Sequence, residues 1–331
     1  MVKYSVILRA YNAAEQVSRS IESIIQQRYT NWELIIVNDG SIDNTGSICE
    51  EYAAKDNRIT VIHQENRGCL LATQVGVENS KGEYICLLDS DDWYDERYLG
   101  CVDSIVCDKN IDMVVVNYYM VDSSQKKTEF CLTKEDFIVD NIKAMGIFLE
   151  TTNYALWNKV VKKEKIRYTA DERQFFVRNG KETNFGEDLY QLMPVLCECD
   201  KVYFSSEYLY NYILDEKSIS HQGVKNHWEE LIKRNRLMSF TYDAITRREC
   251  INRETKNLIE VNTLNLLLPS ILEIVRSKKN NRNVLKQFKH DEFYRKVIMR
   301  MKISHVNKKF GKKRTIAFLL FNMMILCSRR S

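Results

Sequence analysis

Five short runs rich in β-branched, aromatic and other apolar residues, Tyr4–Leu8, Leu34–Asn38, Ile59–His63, Tyr84–Leu88 and Met113–Asn117, alternate with helical patterns over the first 120 or so residues. That alternation is the strongest constraint on the fold. Strands separated by helix-length connections pair in parallel, with the helices covering the sheet. Between the first two runs, Val17, Ile21, Ile24 and Ile25 fall at i, i+4, i+7 and i+8, which is one face of a helix. A second helix is expected from Thr45 to Lys55, and others after Asn66 and Asp95. The expected class is therefore α/β: a Rossmann-like, mostly parallel sheet flanked by helices.

From about residue 120 to 215 the pattern loosens into aromatic- and charge-rich segments containing Trp157, Phe175, Phe176, Tyr203, Tyr208, Tyr210 and Tyr212, read as a continuation of the same domain. From about 225 to 300 strand signals fade. Leu258, Val261, Leu264, Leu268, Ile271 and Ile274 recur every three or four residues, a helical appendage expected to bend or break at Pro269. The 331 residues suffice for two domains, and 44% hydrophobic with 28% charged residues marks a globular chain. A net charge of only +4 argues against a dedicated nucleic-acid binder. Ten scattered cysteines without a CxxC pair read as reduced and intracellular. The N-terminal apolar run is too short for a signal peptide, and no later stretch is expected to reach the ~20 apolar residues of a membrane span. The expectation is a soluble, cytoplasmic body.

In open α/β sheets ligands bind beyond the carboxyl ends of the strands. Three such ends are polar here: Tyr11-Asn12, Asn38-Asp39-Gly40-Ser41 and Asp89-Ser90-Asp91-Asp92. Three carboxylates within four residues repel one another unless a cation lies among them, and Mg²⁺ is usually held by one or two carboxylates plus substrate phosphates. The competing reading is an acidic turn capping the next helix. NDGSIDNT can likewise be a tight turn followed by an N-cap. A third acidic element, Asn184-Phe185-Gly186-Glu187-Asp188-Leu189, reads either as a helix start stabilised by acids or as the seat of a general base.

In this order the pieces resemble the family 2 glycosyltransferases of GT-A fold, over about residues 4 to 215. SVILRAYN resembles the family's first strand, NWELIIVNDGSIDNT the second, and KGEYICLLDSDDWY its DxD motif. ALWNKVVKKEKI, FGEDLYQLMPVL and YLYNYILDEKSIS resemble the acceptor-side motifs of bacterial polysaccharide-assembly members. The resemblance implies that Tyr11 lies against the nucleobase and that Asp39 accepts from the uracil imide. It implies that Asp91, with Asp89, holds a divalent Mn²⁺ or Mg²⁺. Asp89, Asp92 and Arg67 would serve the donor, and Asp188 would be the base with Glu187 beside it. Trp157, Asn158 and Lys159 would shape the acceptor side. Three departures stand out: Arg9 where Pro is usual, Thr73-Gln74 where Arg-Asn is common, and Ile213 where many relatives carry a basic residue. Arg67 is the candidate to replace the missing arginine.

The implied reaction is metal-dependent, inverting transfer of a sugar from a nucleotide-sugar donor, UDP-linked, to a lipid-linked oligosaccharide or polysaccharide acceptor. One base suffices for it, whereas a glycosidase needs a carboxyl pair astride the bond. Two rivals remain. One is a GT-A-fold partner subunit impaired in catalysis, motivated by the departures. The other is a nucleotidyltransferase, which would be expected to carry a Gly-rich phosphate loop where LRAYNAAE has no Gly. The expected organisation is a GT-A domain over 1–220 (1–120 for the nucleotide-sugar, 121–220 for the acceptor), a helical appendage over 221–307 and a tail over 308–331. In the tail, Lys308, Lys309, Lys312, Lys313 and Arg314 precede thirteen mostly apolar residues, Thr315 to Cys327, and Arg329 and Arg330 follow. Too short to span, the tail suits either an anchor on the anionic cytoplasmic face of the inner membrane or docking on the appendage.

Overall fold

The computed structural model describes residues 3–169, 173–174, 187–214, 226–248, 251–277 and 281–327. All five expected runs are strands of one sheet: β1 (Tyr4–Ala10), β2 (Trp32–Asp39), β3 (Ile59–Gln64), β4 (Tyr84–Asp89) and β6 (Met113–Val121), with the two-residue β5 (Trp93–Tyr94) after β4. The looser middle of the chain adds β7 (Lys127–Phe130), β8 (Phe137–Val139), β9 (Lys159–Lys162) and β10 (Val202–Ile213). The sheet order is β3-β2-β1-β4-β9-β6-β10-β5, with β7 on β6 and β8 on β10. Pairs among β1 to β4 are parallel, whereas β9 is wedged antiparallel between β4 and β6. The class is α/β, as the alternation predicts, and the sheet is mixed: its antiparallel pairs all involve β5, β7, β8 or β9.

Period-two alternation of the side chains splits the core in two. Val6, Leu8, Leu34, Ile36, Cys86, Leu88, Val114 and Val116 face one side, where they meet α1 (Val17–Ile25) and α4 (Tyr98–Lys109). Their neighbours Ile7, Ile35, Val37, Ile85, Leu87, Met113 and Val115 face the other. This second face packs on α3 (Cys69–Asn79), α5 (Asn141–Thr151) and α6 (Glu187–Glu198), and α2 (Thr45–Ala53) lies beside β3. Burial on both faces explains why these strands read as near-continuous apolar runs.

The second core continues into the C-terminal helices α7 (His227–Thr246), α8 (Arg253–Ser277), α9 (Arg282–His290) and α10 (Ile303–Cys327). The expected break at Pro269 does not occur, because α8 runs through it. Proline costs an interior helix a backbone hydrogen bond, yet Leu264, Leu267, Leu268, Ile271 and Ile274 are buried on both sides of it, so both arms are anchored in the core. The same helix corrects the expectation about membrane spans. By length and composition α8 is apolar enough to cross a bilayer, but half of its apolar stretch is buried inside the protein. The expected division at residue 307 also falls inside α10, whose backbone departs from helix at Gly311 (φ 77°, ψ 167°). No disulfide joins the described cysteines.

Candidate active site

The ends of β2, β1 and β4 lie side by side, which collects the three polar segments at one edge of the sheet. At the end of β2 two adjacent residues divide the turn and ligand readings between them. Asn38 Oδ1 accepts from the Ser41 amide at 3.1 Å and makes the turn. Asp39 points instead into the loop after β3, where Oδ1 accepts from Gln64 Nε2 (2.6 Å) and the Arg67 amide (2.8 Å), and Oδ2 from the Gly68 amide (2.8 Å). Gly40 permits this approach: its φ is +74°, and a Cβ there would lie 2.5 Å from the Asn66 nitrogen. The carboxylate direction is thus set before any ligand arrives. Tyr11 lies on the rim, 49% exposed, and the Arg67 side chain is exposed as well.

The DSDD segment is not a helix cap. The Asp92 amide donates to the Asp89 carbonyl at 3.1 Å in a turn leading into β5, and α4 begins only at Tyr98. Its three carboxylates part company. Asp92, expected to serve the donor, is fully buried, accepting from the Tyr210 hydroxyl at 2.7 Å and the Ile213 amide at 2.8 Å. Burial, with Asp91 and Asp89 behind it, raises its pKa well above the carboxylate range. Asp92 therefore ties the turn to β10 and cannot touch a ligand in the cleft. Asp91 makes no ion pair among the described residues, and burial followed by repulsion from Asp89 pushes its pKa up to about 6. Arg19, stacked on Trp93 at 4.0 Å, donates to the Asp91 carbonyl at 2.6 Å.

Asp89 has a resident counter-charge. It is the register partner of Arg9 on β1, and the Arg9 guanidinium is ion-paired with it. Nη1 of the same guanidinium lies 3.4 Å from Thr73 Oγ1 on α3. Two departures from the family pattern, at 9 and 73, thus meet at one point. Arg9, rather than the exposed Arg67, brings a guanidinium to the place beside Thr73. Burial works against its charge, but Asp89, with Cys69 and Asp188, outweighs that and raises the pKa. Arg9 is the residue that sequence reasoning undervalued, although it is the one charge in YSVILRA.

Asp188 lies in the first turn of α6. Burial and Asp89 push its pKa up to about 6, against the pull of Arg9 and Lys159. The Glu187 side chain, and residues 184–186 before it, lie outside the described residues. Lys159, at the start of β9, is fully buried, and burial lowers its pKa to about 7 while Asp188 pulls it back up. Its ammonium reaches Asn153 Oδ1 (3.1 Å), Asn158 Oδ1 (2.8 Å) and the Ala155 carbonyl, closing the loop between α5 and β9. Asn158 Nδ2 in turn donates to the Val116 carbonyl at 3.1 Å. The Trp157 ring lies across Tyr210 and Tyr212, with centroids 4.4 and 5.2 Å away. Asn158 and Lys159 are too deep to contact an acceptor directly. With Trp157 they brace the wall behind the cleft.

Among the described residues no group of three or more His, Cys, Asp or Glu side chains is placed to hold a metal ion. The donor set fits a divalent ion held mainly by a ligand's phosphates, with Asp91 and one oxygen of Asp89 as protein ligands, since a cation there would relieve the repulsion that raises Asp91. Residues 5–167 match the family described as glycosyl transferase family 2. The chain carries a family 2 glycosyl transferase domain. It is 32% identical over 230 residues to glycosyltransferase GlyA of Streptococcus pneumoniae serotype 4, covering 66% of this chain but 31% of GlyA. To glycosyltransferase GlyG of the same strain it is 40% identical over 144 residues, 43% of this chain and 48% of GlyG. The chain thus spans about a third to a half of these relatives. Among solved structures, S. aureus TarS 1–349 superposes with a TM-score of 0.67 at 17% identity, over 97% of this chain and 92% of that one, and TarS has also been solved with UDP and with UDP-GlcNAc. Together with the family 2 match, that likeness establishes the GT-A fold.

Proposed function

We propose that the protein transfers a sugar from a UDP-linked donor to a hydroxyl of a growing lipid-linked polysaccharide, with inversion at the anomeric carbon. The observation that carries this reading is the gathering of a pre-aimed Asp39, the Asp89–Asp91 pair and a partly neutralised Asp188 along one edge of a GT-A sheet. Asp39 holds the base through the lone pair its three donors leave, and Tyr11 covers the ring. A divalent ion at Asp91 and Asp89 would supply charge neutralisation of the leaving diphosphate. Arg9 adds a fixed positive charge beside it, and its buried Nε lacks a hydrogen-bond partner among the described residues. Asp188, ionised, takes the acceptor hydroxyl's proton as that oxygen bonds to the anomeric carbon and the carbon–phosphate oxygen bond breaks on the opposite face. Lys159 supports Asp188 from behind.

The experiment is release of UDP from a panel of UDP-sugars by the purified protein with Mn²⁺ or Mg²⁺, with and without bacterial lipid extract. Metal-dependent release that rises with extract is expected. Binding of UDP without release from any donor would overturn the reading in favour of a partner subunit that keeps the fold and has lost turnover.

A further inference from the structure

Past Gly311, residues 312–327 form a helix that is apolar on both sides. Its inner side is committed to the protein: Phe318, Phe321 and Ile325 are buried in the second core, and Asn322 Oδ1 accepts from the Tyr294 hydroxyl at 3.1 Å. Its outer side is also apolar yet uncovered, with Ile316, Leu320, Met323 and Leu326 exposed by 56, 43, 58 and 56%. At ~100° per residue, Lys312, Ile316, Leu320, Met323 and Cys327 share a stripe about 80° wide, opposite Phe318 and Ile325. Lys312 begins that stripe and Lys313 lies next to it around the helix, while Lys308 and Lys309 precede the break at Gly311 and Arg314 follows Lys313; all five are exposed, and no acidic residue occurs between Ile303 and Cys327.

We propose that this outer stripe and its basic end form a docking surface for an anionic lipid bilayer, with the helix lying in the plane of the interface. The proposal rests on the reading of the acceptor as lipid-linked and names the surface that brings the cleft to it. Three observations select this occupant. The helix covers about 24 Å, short of the ~30 Å hydrocarbon core, and its inner side is already occupied, so it lies on the bilayer rather than across it. The cations at its start match an anionic surface. A second copy is disfavoured in a parallel helix pair, because Lys312, Lys313 and Arg314 of the two copies would then lie together. The two readings of the tail, docking on the appendage and contact with a membrane, thus belong to opposite faces of one helix.

Deleting the tail would strip Phe318, Phe321 and Ile325 from the core, so the test uses the outer face alone. Full-length protein, the triple variant I316S/L320S/M323S and the double variant K312Q/K313Q are sedimented with vesicles of phosphatidylglycerol and phosphatidylcholine, or of phosphatidylcholine alone. The wild type should bind the anionic vesicles at least tenfold more strongly. The double variant should lose about 25-fold, at about fivefold per charge, and the triple variant at least tenfold, with unchanged melting. Indifference of the wild type to vesicles, or wild-type binding by the triple variant, would overturn the proposal. So would a wild-type dimer in light scattering that the triple variant converts to monomer, which assigns the stripe to a second copy. If vesicle binding behaves as expected while no donor is turned over, the docking surface stands and the transferase reading fails.

Discussion

The Tyr210 hydroxyl is donated to Asp92 at 2.7 Å, and through that bond the turn after β4 is bolted to the last strand of the sheet. Asp92→Ala would leave this hydroxyl and the Ile213 amide buried without acceptors, at a cost of about 1–3 kcal/mol in urea unfolding. Asp91→Asn, one residue away, should leave stability unchanged or raise it, because it removes the repulsion with Asp89. A larger loss of stability in the Asp91 variant would reverse the assignment of the two residues.

Affinity for UDP should depend on Mn²⁺ in the wild type and become indifferent to it in Asp91→Asn. Titration calorimetry with Mn²⁺ and with EDTA checks this, and equal wild-type affinity in both would remove the metal from Asp91.

The pH profile should carry the signature of Asp188. Its folded pKa of about 6 lies above the ~3.9 of a free aspartate, so the base is ionised and active above about 6 and transfer falls as pH drops through that value. Stability moves the other way. The folded state favours the proton, so this group's contribution is fully present below about 3.9 and is lost as pH rises through about 6. Asp188→Asn should abolish the acidic limb, lower transfer by roughly 10²–10⁴-fold and spare donor binding. Initial rates from pH 5 to 8 and a parallel melting series decide it.

Arg9→Leu should slow transfer and move the acidic limb to higher pH, because the guanidinium holds Asp188 down against burial. In the double variant R9L/T73R an arginine from the neighbouring position on α3 should recover much of both. No recovery in a well-folded double variant would mean that the placement of the guanidinium from β1, and not its charge alone, matters.

Asp39→Ala should weaken UDP binding by roughly 1.5–3 kcal/mol, the range for a hydrogen bond to a charged group. It should also lower stability, since the Gln64, Arg67 and Gly68 donors lose their acceptor. An unchanged UDP affinity would leave Asp39 as a loop clamp only.

The parallel half of the fold was legible because β1, β2, β4 and β6 are buried on both faces and read as unbroken apolar runs. β9 was not: KVVK has four residues, two of them lysines, and is a strand only because β4 and β6 leave a gap that fits it. The candidate site was legible only as residue types at strand ends, and the different surroundings of those residues were not. Asp91 and Asp92 are neighbours of the same type, and what separates them is Tyr210, 118 residues further along the chain. The weight of Arg9 likewise appears only when the register sets it beside Asp89.

The face of the sheet that carries Arg9, Asp89 and Lys159 is roofed by the same hydrophobic core that α7, α8, α9 and α10 help to fill. The N-terminal half is therefore not a detachable cassette. A chimera that keeps residues 1–220 and exchanges the rest would uncover Leu192, Leu196 and Phe148, and recombination that respects this protein's architecture must carry its C-terminal helices along with its motifs.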